Sequence, residues 1–305
     1  MEWWGISCYN TVNKERKLSI KMINYIFLIL ASFLFSMQFL FHKKFLEENG
    51  ESMDTALKFT VWTSICSFLI LLVQNKFHIA FSWFSFGISV AYVAVTVTSS
   101  YATVKSLSVV NLSLFSVCTM LGGMALPVLY GVLFKHEPFT GIKFICCVLM
   151  AVAMFLSVSD TKSQGKSAML WYCLVFVLNG LDGVLATIHQ NAGEINVDSR
   201  SFMCIKNILT MLTCVAWLLI RNKRLAKVSV RSVMTAGGYA ALNSTGGLLM
   251  LTALLALPAS VQYPIVTGGT MVFAALIGFF RKEPFTKKNA VALALSLLAS
   301  VVIAL

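Results

Sequence analysis

Asp182 stands deeper in an apolar stretch than any other acid of the chain. Glu2, Glu15, Glu47, Glu48, Glu51 and Asp54 fall in tails or gaps between apolar runs, and so do Glu137, Asp160, Glu194, Asp198 and Glu283. On a helix that enters hydrocarbon near Ala168, Asp182 lies about 21 Å along the axis at ~1.5 Å per residue. A charged group at that depth costs roughly 2.5–3.5 kcal/mol on insertion scales. It is kept there for a substrate, an ion or a proton pathway, or else it is satisfied by a bond to a neighbouring helix or buried in its protonated form. Asn179 is three residues earlier and shares the helix face. Gly180 and Gly183 let a neighbouring backbone approach closely. The chemistry on offer is coupling to a proton or cation, or acceptance of a hydrogen bond from a substrate amine.

Further polar residues interrupt the apolar runs. Lys58 and Lys206 lie a few residues inside their stretches. Each either snorkels to the nearest headgroups or presents a cation to a substrate carboxylate at one mouth of a pathway. The third stretch carries Thr96, Thr98, Ser99, Ser100 and Tyr101, and the eighth carries Asn243, Ser244, Thr245, Gly246 and Gly247. These patches line a cavity, or their hydroxyls bond their own helix backbone and glue helices together. Ser36 and Gln38 stand in the first stretch near the depth of Asp182 in the sixth. Gln262 and Tyr263 flank Pro264, where a broken helix would face a cavity. His42 and His189 end the first and sixth stretches, an interfacial position that would also suit pH sensing. Glu137 and Glu283 each precede a proline and read as turn residues.

Intramembrane hydrolysis is not written in these residues. An aspartyl protease needs two membrane aspartates, and Asp182 has no such companion. His-Glu-x-x-His, Gly-x-Ser-x-Gly and the Walker phosphate loop are all absent, so zinc, that serine elbow and direct ATP coupling are not indicated. All of the cysteines except Cys8 lie in apolar stretches without Cys-x-x-Cys spacing, as packing residues do. The expectation is no enzyme, no cofactor and no metal site.

The elements that must hold these residues follow from composition. Across 305 residues, 58% are hydrophobic and 12% charged, about half the charge of a soluble domain. The excess of 24 Lys and Arg over 12 Asp and Glu is not gathered on an amphipathic element, which argues against nucleic acid as a partner. The charges sit in short gaps between ten apolar stretches, with cores near 23–42, 55–74, 81–102, 110–134, 141–159, 168–188, 202–220, 232–256, 259–280 and 289–305. Each approaches the ~20 residues that cross a bilayer as a helix, and they are too long and unbroken for barrel strands. The chain thus reads as an all-α membrane protein with ten transmembrane helices.

A repeat divides it. Lys135-His136-Glu137-Pro138-Phe139-Thr140 returns as Arg281-Lys282-Glu283-Pro284-Phe285-Thr286, and the same offset sets Gly122-Gly123 on Gly268-Gly269. Near that offset His42 meets His189, and with one gap Lys58 meets Lys206. The expected organisation is a tail over 1–21, a five-helix repeat over 22–160, a polar linker over 161–166 and a second five-helix repeat over 167–305. A start at Met22 would make 1–21 a mis-assigned extension. Because five is odd, the second half runs inverted. Inverted repeats give inward-open and outward-open states of nearly equal energy, which is what a transporter uses.

With the two halves, the Glu-Pro-Phe-Thr turn after the fourth helix of each and a basic residue early in helices two and seven, the chain resembles the drug/metabolite transporter superfamily, in particular its EamA-like ten-helix members. The resemblance covers nearly everything past Met22. It implies a permease-type secondary transporter in the cell (cytoplasmic) membrane, moving an amino acid, sugar or drug-like solute, with export the favoured direction. It further implies alternating access around spans 1, 3, 4, 6, 8 and 9. The partners implied are a small-molecule solute, membrane lipid and a coupled proton or cation. A flippase for a lipid-linked or amphipathic substrate is the alternative, and a non-transporting membrane subunit a more distant one. The pathway candidates are Asp182, Asn179, Gln38, Lys58, Lys206, Thr98, Ser99, Tyr101, Asn243, Thr245, Gln262 and Tyr263. Orientation is left open. Loop Lys and Arg favour termini outside by the positive-inside rule, whereas the resemblance and the four N-terminal bases Lys14, Arg16, Lys17 and Lys21 favour termini inside.

Overall fold

The computed structural model describes residues 2–50, 52–109, 112–156, 166–221, 228–280 and 287–304. Within them the chain forms ten α-helices and one short 3-10 turn. The helices are α1 (Glu2–Asn49), α2 (Met53–Gln74), α3 (Trp83–Val109), α4 (Leu112–Lys135), α5 (Gly141–Leu156), α6 (Lys166–Gln190), α7 (Ser199–Ile220), α8 (Val230–Leu254), α9 (Ala259–Phe280) and α10 (Lys287–Ala304). Each covers one of the expected apolar stretches. Among the described residues, six helical segments are long and apolar enough to cross a membrane, in α1, α2, α3, α6, α7 and α9. That is the pattern of a multi-pass membrane protein. The joint between the proposed halves (up to Gly165) and the second copy of the repeated turn (281–286) lie outside the described residues.

The largest departure from expectation is α1. The stretch expected as a tail over 1–21 continues the helix, which runs unbroken from Glu2 to Asn49. Between Ile6 and Asn49 the sequence has neither proline nor glycine to stop it. The stop comes at Gly50, which takes φ +83° while its N–H closes on the Leu46 carbonyl at 2.8 Å. A left-handed residue there is the usual helix terminator.

Side-chain caps mark three further helix starts. Ser52 accepts from the Thr55 N–H, Asp198 from those of Arg200 and Ser201, and Ser229 from that of Ser232, each at 3.1 Å. These side chains satisfy donors that a helix start leaves without partners. The expected break at Pro264 does not occur. Pro264 lies within α9, near its start, and removes one rung of the ladder without ending the helix. Pro258 marks the boundary instead, and its carbonyl accepts the N–H groups of Val261 and Gln262.

The helices pack in a recurring set of pairs. The pairs α1–α8, α1–α9 and α2–α8 have counterparts in α3–α6, α4–α6 and α3–α7, and α9–α10 has one in α4–α5. The pairs α2–α7, α4–α9 and α5–α10 complete the set. Small residues allow the closest approaches. A Cβ on Gly122 would collide with the backbone of Phe176, so α4 and α6 touch there. A Cβ on Gly269 would come within 2.6 Å of Ser32 Oγ, bringing α9 onto α1. One core cluster holds Leu71, Val128, Phe202, Leu251, Leu254 and Tyr263, and another holds Leu28, Met124, Met150, Leu257, Ile265 and Val266. Large apolar side chains such as Ile220, Val230 and Phe280 point outward, as lipid contact requires and as water would penalise.

Candidate functional site

A cavity of about 440 Å³ opens between these helices, within the range of small-molecule sites. Its walls come from α1, α3, α4, α6, α7, α8 and α9. The helix α6 supplies Asn179, Asp182 and Gly183, one turn apart or less. Gly183 lets Tyr263 of α9 come close: its Oη donates to the Gly183 carbonyl at 2.8 Å and lies 3.4 Å from the Thr187 hydroxyl. Asp182 Oδ1 is buried and has no hydrogen-bond partner.

Opposite charge enters from α7. Lys206 lines the same cavity, with Nζ 4.6 Å from the centre of the Tyr92 ring on α3. A cation over an aromatic face is stabilised by the ring quadrupole. Phe202, one turn earlier on α7, meets the Tyr92 ring edge-on at 6.2 Å. The α1 wall carries Phe35, Gln38 and Phe39, and Gln38 Oε1 is likewise buried without a partner. The α8 wall carries Tyr239, Asn243 and Met250. Tyr239 is held by Phe59, edge-on at 4.9 Å, which in turn stacks on His42 at 4.6 Å. Thr267 and Thr270 of α9 complete the lining, Thr270 bonding the Ser32 carbonyl on α1 at 3.4 Å.

Six of the residues singled out in the sequence meet in this cavity: Asp182, Asn179, Gln38, Lys206, Asn243 and Tyr263. The other six do not. Lys58 is half-buried on α2, a helix that contributes nothing to the walls. Thr98 and Tyr101 are exposed on the outer side of α3, and Tyr101 packs edge-on against Trp171. Ser99 and Thr245 are half-buried away from the cavity. Gln262 is fully buried and ties α9 to α8 by donating from Nε2 to the Met250 carbonyl at 2.8 Å. The α3 hydroxyls follow the self-bonding alternative: Thr96 donates to the Tyr92 carbonyl and Ser100 to that of Thr96.

His189, near the end of α6, does not face outward. It is fully buried, stacked on Phe202 at 3.7 Å, with Nε2 2.9 Å from the Ser85 hydroxyl. The aromatic walls went unread in the sequence because Phe35, Phe39, Tyr92, Phe202 and Tyr239 look like any other apolar span residues. One signal was available: Tyr92 and Tyr239 bring hydroxyls into otherwise apolar runs.

Glu137 has a role wider than its own turn. Its two carboxylate oxygens accept the backbone N–H groups of Ala259 and Ser260 at 2.9 Å each, capping α9 from the α4–α5 turn. Lys143 reinforces the junction, donating to the Pro138 carbonyl at 2.7 Å and to Ser260 Oγ at 3.2 Å. Among the described residues no group of three His, Cys, Asp or Glu side chains stands together as a metal site would need.

No family model matches the chain, and no curated protein matches it. A solved structure, described only as the crystal structure of a protein, aligns with it at a TM-score of 0.68 and 12% identity. The match covers 92% of this chain and 95% of that one. At such identity the likeness concerns the fold alone, and it extends over nearly the full length of both chains.

Proposed function

We propose that the chain is a secondary transporter of the drug/metabolite type, two inverted five-helix repeats that carry a small solute across the cell membrane by alternating access. The observation that carries the reading is the cavity. It lies among helices of both proposed halves and holds a carboxylate with one oxygen unpartnered, Asp182, and an ammonium, Lys206, within a predominantly apolar protein. A static scaffold has no use for two charges at that depth, whereas a pathway does.

The packing supports the repeat. Replacing each helix number by the one five further on turns α1–α8 into α6–α3, α1–α9 into α6–α4 and α2–α8 into α7–α3, and leaves α2–α7, α4–α9 and α5–α10 unchanged. Two halves related in this way can exchange conformations, closing one mouth while opening the other. In this reading Asn179, Asp182 and Gly183 form the solute-facing wall of α6, and the Glu137 cap fastens the first half to the start of α9. The proposed role is translocation without chemical change of the solute.

The test is current or tracer flux in proteoliposomes across a panel of amino acids, sugars, amines and drug-like solutes, with and without a pH gradient. The reading predicts a solute-specific flux that falls to background in Asp182→Asn. A flux unchanged in that variant would remove Asp182 from the pathway, and silence in both electrical and tracer assays would count against transport.

A further inference from the structure

We infer that the guest of this cavity is a small zwitterion, with an ammonium and a carboxylate carried on one apolar body. The inference rests on the transporter reading and names the solute class of its site. Two buried atoms in the cavity walls have no partner: Asp182 Oδ1 on α6 and Gln38 Oε1 on α1. Both are acceptors, so what is missing from each is a donor, and an ammonium brings three. Lys206 has the opposite need. Its Nζ rests on the Tyr92 ring, and among the described residues no carboxylate lies within ion-pair distance of it. A ring face eases the charge but accepts no full hydrogen bond.

Asp182 and Lys206 therefore face one cavity, near enough to act on each other's charge but without a direct ion pair. A buried charge is stable when paired and costly when alone. A guest with only a cation would answer Asp182 and leave Lys206 unpaired, and a guest with only an anion would do the reverse. A neutral guest would answer neither. A zwitterion satisfies both at once, and its own two charges are as costly to strip of water as those of the site, so each compensates the other. A phosphate dianion is disfavoured because a single ammonium would meet it beside a carboxylate.

The remaining walls define the body of the guest. Phe35, Phe39, Phe202, Tyr92, Tyr239 and Tyr263 enclose it with rings, which favour an apolar or aromatic group over a polyhydroxylated one. A sugar would leave most of its hydroxyls facing these rings without partners.

The experiment is isothermal titration calorimetry on the full chain in detergent with two matched series. One is L-phenylalanine, 2-phenylethylamine and 3-phenylpropionate, and the other is L-leucine, isopentylamine and 4-methylpentanoate. Within a series only the charges change. In at least one series the zwitterion should bind about tenfold or more tighter than either single-charge analogue, the margin expected for one charge-assisted contact. Asp182→Asn should cancel the margin over the acid, and Lys206→Gln the margin over the amine. Size-exclusion and thermal unfolding identify any variant that fails to fold, and the wild-type series decides the matter without the variants. In both series, an amine or acid that binds as tightly as its zwitterion, or no binding by either zwitterion to folded protein, would overturn the inference. Transport is judged separately. Zwitterion binding without flux in proteoliposomes would defeat the transporter reading alone, and flux of a solute without zwitterion preference would defeat this inference alone.

Discussion

At the scale of single residues, Asp182 is kept at a cost to stability. It sits in a wall where an amide would be easier to bury, with one oxygen left without a partner. Residues selected for function commonly carry such a cost, and neutralising them commonly leaves the fold intact or firmer. Asp182→Asn is thus expected to unfold at a temperature equal to or above that of wild type, while its solute flux is lost. Differential scanning fluorimetry beside a flux assay checks both halves, and a variant that unfolds well below wild type would assign Asp182 a structural role. Sequence alone made Asp182 visible because a lone acid in an apolar run has few innocent explanations. It could not tell Lys206 from Lys58, since both stand a few residues inside their spans. Which of the two faces inward is decided by helix rotation, and only packing sets that. The hydroxyls of α3 misled for a related reason. Their number suggested a polar lining, but Thr96 and Ser100 spend their hydrogen bonds on their own helix.

Among the elements, the apolar run lengths located all ten helices, and Pro138 and Pro258 stand at the α4–α5 and α8–α9 boundaries. What the sequence left unread is how one element serves another. The Glu137 motif looked like a local turn, yet its carboxylate caps α9, more than a hundred residues away in the chain. No spacing rule reports a contact of that kind. Glu137→Ala would leave the Ala259 and Ser260 N–H groups without that acceptor, and it should cost about 1–2 kcal/mol of stability. Thermal unfolding in detergent measures this. Glu137→Gln, which keeps one acceptor oxygen, should lose less. The contact of α4 with α6 makes a sharper demand. A Cβ at Gly122 meets the Phe176 backbone, which cannot rotate away as a side chain would. Gly122→Ala should therefore destabilise by ~1–3 kcal/mol, the usual range for overpacking. Gly87→Ala, on the same measurement, meets nothing within 4 Å and should be close to neutral. Ala gains helix propensity over Gly at either position, so an equal loss in both would show that the α4–α6 approach does not set the effect.

For the molecule as a whole, the helix pairing of the fold is the one that the proposed repeat would produce. Exchanging the two proposed halves preserves the main contacts, while the chemistry of the cavity is strongly unequal. Asp182 and Lys206 both come from the second half, on α6 and α7, and their sequence counterparts on α1 and α2 are an uncharged stretch and a lysine outside the cavity. In the proposed reading the halves share an architecture, and the charged groups of the cavity come from one of them. A pseudo-symmetric frame of this kind is suited to two states of similar energy around one asymmetric site.

Alternating access to that site is the central claim, and it is tested most directly by accessibility from each face of the membrane. Asn243 lines the cavity from α8. In a background with the native cysteines replaced, Asn243→Cys would be exposed to a membrane-impermeant maleimide added to one side or the other of oriented vesicles. The account predicts labelling from both sides, slowed from both by a bound solute. Labelling that is confined to one side under every condition, or that a transported solute leaves unchanged, would contradict it.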